Sequence, residues 1–80
     1  MRIIADIPNP HCKISVFYMN GKYLVKAEKA NLEQTFKIPE TELITGADDL
    51  PALFDQAMII RIMERFREMD RDLRAALASL

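Results

Sequence analysis

Apolar and polar positions alternate one by one up to Ile38, and from Asp49 onward apolar residues return every three or four positions. The first rhythm belongs to half-buried strands, the second to an amphipathic helix. Arg2–Ile7 reads as a short apolar strand that Pro8-Asn9-Pro10 must end, because proline offers no N–H to a ladder. Cys12–Met19 alternates again and is rich in β-branched and aromatic residues. Asn20-Gly21 follows it, and this dipeptide suits a type I′ turn, whose two central residues both need positive φ.

A two-residue turn at Asn20-Gly21 fixes the register of the next strand. Met19 then faces Lys22, Phe17 faces Leu24, Val16 faces Val25 and Lys13 faces Glu28. One side of this hairpin carries Cys12, Ile14, Val16, Tyr18, Tyr23, Val25 and Ala27, and that is the expected core face. The other side carries Lys13, Ser15, Phe17, Met19, Lys22, Leu24, Lys26 and Glu28. A second turn near Lys29–Asn31 leads into Leu32–Ile38, which alternates once more. Four strands in a row, with no helix between them, predict an antiparallel meander, its first strand the least well marked.

Residues 39–48 form a connection with room for one helical turn at Glu40–Leu43. Asp48 or Asp49 then offers a helix N-cap, with Pro51 tolerable inside the first turn. No later glycine or proline interrupts, so the pattern predicts one helix over 49–80, about 48 Å long at ~1.5 Å per residue. The whole is a single α+β domain: sheet over 1–38, connection over 39–48, long helix over 49–80.

This helix carries two apolar stripes. Leu50, Leu53, Ala57 and Ile60 lie along one side, expected to face the sheet. Ile59, Ile62, Phe66, Met69, Leu73, Ala76 and Leu80 run along nearly the opposite side in heptad fashion. One sheet cannot cover both, and the second stripe is the expected interface of a homodimer formed by helix pairing. The alternative is a bend near Met69-Asp70 that folds the last turns back onto the same domain.

Composition adds bounds. The chain has 80 residues, half of them apolar and 29% charged, as globular domains do. Through Pro39 there are six basic and three acidic residues, and from Glu40 onward five arginines and nine acids. The first part is therefore mildly basic and the second mildly acidic. The lone cysteine, Cys12, has no internal disulfide partner, no basic and apolar leader precedes the first strand, and no apolar run approaches the ~20 residues that cross a bilayer. A cytoplasmic location, with no membrane contact, is the simplest expectation.

Catalytic constellations are scarce. His11 is the only histidine, and its neighbour Cys12 points to the opposite face of a strand, which defeats a Cys–His dyad. No second histidine or cysteine stands at ligand spacing, so no metal or other cofactor is expected. The helical carboxylates interleave with arginines at three- and four-residue spacing, the pattern of a solvated, ion-paired surface. An enzyme is not expected. The outer sheet face offers more: Phe17, Met19 and Leu24 sit among Lys13, Lys22, Lys26 and, in register, Lys37. Aromatic platforms in basic surroundings bind single-stranded nucleic acid. The plainer reading is a solvated face whose lysine stems cover a few apolar side chains.

The order of four strands and then a helix is similar to the repeat unit of Whirly-type and PUR-type single-strand-binding proteins. Those proteins associate through their helices. The resemblance is one of topology and implies a nucleic-acid role for the sheet without assigning any residue. The residues themselves point first to a small non-enzymatic, dimeric interaction or regulatory module. A single-stranded nucleic-acid-binding domain stands as the alternative.

Overall fold

A computed structural model describes residues 2–80. Four strands form one sheet in the order β1-β2-β3-β4: β1 Arg2–Ile7, β2 Lys13–Met19, β3 Lys22–Lys29 and β4 Leu32–Pro39, each antiparallel to its neighbour. The β2–β3 register follows from the turn as expected, with Met19 opposite Lys22 and Lys13 opposite Glu28. Asn20 and Gly21 both hold positive φ, 53° and 75°. The β3–β4 turn is equally tight but uses Ala30 at φ 54°, a position at which a side chain is strained. Strand β1 pairs with β2 through Ile7 opposite Ile14 and Ile3 opposite Phe17, and one irregularity between Ile3 and Ala5 takes up an extra residue.

One face of the sheet is covered. Ile7, Cys12, Ile14, Val16, Tyr23, Val25 and Ala27 are buried there against Leu50, Phe54, Ile59, Ile62 and Phe66. Tyr18 belongs to the same face but lies at its end, half exposed, edge-on to Tyr23 with ring centroids 5.1 Å apart.

The helix departs from the expected bounds. Helix α1 spans Gln56–Ala78 and does not begin at Asp49. Ahead of it come a single 3₁₀ turn, Ala47–Asp49, and a tight turn in which the Leu53 N–H donates to the Leu50 carbonyl at 2.9 Å. Asp55 then sits in extended backbone (φ −75°, ψ −177°), and its Oδ1 accepts from the Met58 N–H at 2.9 Å. A carboxylate that takes a backbone donor in this way starts a new helix and ends the preceding turn.

The break decides which residues face the sheet. On one unbroken helix, Leu50 and Phe54 would point roughly 130° away from Ile59, Ile62 and Phe66, at 100° per residue. Interrupting the chain at Asp55 re-aims the first pair, so all five side chains reach the same sheet face. Phe54 meets Phe36 of β4 edge-on at 5.4 Å. The expected sheet-facing stripe is therefore corrected: Leu50 is buried, whereas Leu53, Ala57 and Ile60 are exposed. Ile59, Ile62 and Phe66, expected to be free for a second copy, fill the core of their own chain.

Asp55→Ala is expected to lower stability by about 1 kcal/mol in chemical denaturation, because the Met58 donor loses its partner. Asp55→Asn, which keeps an acceptor, should recover most of that loss.

Candidate functional site

Helix α1 runs antiparallel to β4. Phe54 lies beside Phe36, the Ile62 carbonyl accepts from Gln34 Nε2 at 2.9 Å, and Phe66 lies beside Leu32 near the β3–β4 turn. The helix therefore leaves the sheet over the end that carries that turn. Phe66 is its last buried side chain, and the helix continues to Ala78. Twelve residues, about 18 Å of helix, project past the core. The helix is continuous through Met69-Asp70, so the alternative of a fold-back there is excluded.

The projecting part remains apolar on one side. Leu73, Leu77 and Leu80 are 44%, 56% and 99% exposed, and Ala76 is exposed beside them. At 100° per residue Leu73 and Leu77 lie on the same side as Ile59, Ile62 and Phe66, and Leu80 follows just past the helix end. Of the residues expected at a dimer interface, Ile59, Ile62 and Phe66 are thus occupied by the sheet, Met69 is half-buried at its end, and Leu73, Ala76 and Leu80 are open. Leu77 was hidden by a strict heptad reading, which selects Ala76. The 3.6-residue period of a straight helix selects Leu77, four residues after Leu73 and three before Leu80. On one flank of the strip Arg74 Nε lies 2.8 Å from Asp70 Oδ2, and on the side of the helix away from it Arg71 Nε lies 3.7 Å from Asp72 Oδ1.

The outer sheet face brings Lys13, Phe17, Met19, Lys22, Leu24, Lys26 and Lys37 onto one surface, as the register requires. Ile3 joins them opposite Phe17, a neighbour that the weakly marked first strand concealed. The surface is not an open aromatic platform. Leu24 is only 6% exposed, Phe17 is half-buried, and Lys26 Nζ stands 5.1 Å from the Phe17 ring centroid. The cation takes the position over the ring that a stacked base would use. Asp6, Glu28 and Glu33 share this face with the four lysines, with Glu28 directly opposite Glu33, so its charge is nearly balanced.

The titrating groups with shifted acidity are held by burial or by hydrogen bonds. Burial raises the Cys12 thiol against a smaller opposing pull from Lys29, leaving a weak nucleophile. His11 is exposed in the β1–β2 connection, its backbone N–H donating to Asn9 Oδ1 at 2.8 Å. The Tyr18 hydroxyl donates to Glu40 Oε1, and this bond, followed by burial, raises the phenol. Among the described residues, the only buried side-chain polar atom without a partner is Ser15 Oγ, and no three His, Cys, Asp or Glu side chains converge on a metal-sized position. Among the described residues, no helix is long and apolar enough to cross a membrane.

Asp49 organises the turn that positions Leu50. Its Oδ2 accepts from the Thr45 N–H at 2.9 Å, the Gly46 N–H at 3.3 Å and the Thr45 hydroxyl at 3.3 Å. The Thr45 backbone bond is the main cause of its lowered pKa. A carboxylate held below its unfolded value of about 3.9 contributes stability above that pH, and the contribution fades as pH falls through the folded value. Asp49→Asn should therefore lower stability at pH 7 and flatten the acid limb of a stability-versus-pH curve below about pH 4. An unchanged limb would remove this role.

Comparison with protein-family models, with curated proteins and with solved structures finds no match for this chain.

Proposed function

We propose that the chain is a non-enzymatic interaction module that works as a pair of copies joined through the projecting end of α1. The observation that carries this reading is the helix face that outlasts its sheet. Leu73 and Leu77 continue the buried side of the helix into solvent, Leu80 follows just past its end, and among the described residues nothing covers them. Exposed leucines grouped on one side of a helix are the kind of apolar surface that marks an interaction site. Their polar flanks carry both signs of charge, so a second copy meets no net repulsion.

Other features agree. The groups with perturbed acidity are engaged in burial, capping or a tyrosine–carboxylate bond. A lone buried thiol suits a reducing compartment, which supports a cytoplasmic location. The outer sheet face ranks second as a partner surface, since its best aromatic is already capped by Lys26.

Pairing makes stability depend on concentration by mass action. Thermal melts followed by circular dichroism are expected to shift upward by several degrees between about 1 and 100 μM chain. A midpoint independent of concentration over that range would contradict the reading.

A further inference from the structure

We infer that the two copies pair antiparallel, each sending Leu77 and Leu80 back toward a notch at the end of the other's sheet. The inference rests on the pairing reading above and adds its geometry.

The exposed leucines lie on the side of α1 that holds Ile59, Ile62 and Phe66 against the sheet. If two such helices met in parallel along this side, their first halves would also face each other, with both sheets between them. Helices in contact stand about 8–10 Å apart, whereas a sheet layer alone needs about 10 Å. Parallel pairing is therefore blocked by the sheets. Antiparallel pairing keeps the two sheets at opposite ends, and only the last turns of each helix reach the level of the other's sheet end.

Asp70 and Arg74 lie four residues apart on one flank of the strip and bond within the helix at 2.8 Å. A two-fold axis near Asp72 sets each Asp70 level with the partner's Arg74 and each Arg74 level with the partner's Asp70. A parallel two-fold pair would turn this flank away from its own copy, and the match would be lost. In the antiparallel pair the four groups can form one balanced cluster beside the leucines.

Where α1 leaves the sheet, Leu32, Met63 and Phe66 floor an indentation of about 240 Å³, rimmed by Lys29, Arg67 and Asp70. It opens on the flank that carries Asp70. With the axis near Asp72, the partner's Leu77 and Leu80 come level with this stretch of helix. The volume suits leucine side chains, and the apolar floor would otherwise stay wet.

Electron–electron distance measurements on chains labelled at one site test this in a Cys12→Ser background. With the axis near Asp72, labels at Ala78→Cys should lie roughly 20–25 Å apart and labels at Gln56→Cys roughly 50 Å apart, at 1.5 Å rise per residue. Both positions are exposed, so neither label disturbs the core. Short distances at both sites, with a two-chain mass retained, would overturn the antiparallel sense and leave pairing standing. Absence of a dipolar signal at both sites, with a one-chain mass, would overturn pairing and this geometry together.

Discussion

Replacing Leu73 and Leu77 together by aspartate is expected to separate the pair into single folded chains while leaving the secondary structure intact. Neither side chain touches the core, and the last buried position is Phe66, seven residues earlier. Two carboxylates on the strip would bury unpaired charge in any apolar helix contact, a larger penalty than such a contact can offset. Size-exclusion elution at 100 μM should move to the single-chain position, with the far-ultraviolet spectrum retaining its helical signal. A double variant that elutes with the wild-type chain would place the contact elsewhere. Loss of the spectrum would mean that these leucines are needed for folding.

Ile62→Ala should act at the other end of the same helix face and do the opposite. Ile62 is completely buried, and its carbonyl accepts from Gln34 Nε2, so this turn of the helix is anchored to β4 by both packing and a hydrogen bond. Truncating a buried isoleucine costs about 2–5 kcal/mol. A domain of this size has about 4–12 kcal/mol in total. The variant should unfold at a much lower denaturant concentration, and at single-chain concentrations just as clearly as at high ones. A loss under 1 kcal/mol would show that the helix is not held to the sheet as described. Phe66→Asp belongs with this class, since it would place a charge in the core and unfold the chain before dissociating it.

The contrast between these two substitutions separates what was legible in the residues from what was not. The sheet could be read closely, because Asn20-Gly21 sets a register that carries Cys12, Ile14, Val16, Tyr23, Val25 and Ala27 to one face. The second turn was harder to place, since Ala30 takes a positive φ without a glycine to announce it. The helix was misread at its start. Asp49 and Asp55 are both sound N-caps, and choosing the first extended the helix over 49–55, where the structure has the end of a 3₁₀ turn, one tight turn and the Asp55 cap. That choice split one sheet-facing side into two stripes, because the re-aiming at Asp55 depends on where Phe54 finds Phe36.

The same misreading assigned Ile59, Ile62 and Phe66 to a partner, whereas their own sheet covers them. It also passed over Leu77, which a 3.6-residue period brings back. What survives is the disproportion between helix and sheet. A helix of 23 residues runs about 35 Å, and a strand of eight about 27 Å, with the helix starting partway along. The candidate nucleic-acid face illustrates a different limit. Periodicity could place Phe17 and Lys26 on one surface, but not reveal that the lysine sits over the ring.

The central claim is that α1 is a core element through Phe66 and an assembly surface beyond it. Sedimentation equilibrium of the wild-type chain from about 1 to 100 μM tests this most directly. The account predicts a mass that rises with concentration to twice the 9.2 kDa of one chain. A mass that stays at 9.2 kDa throughout would contradict it.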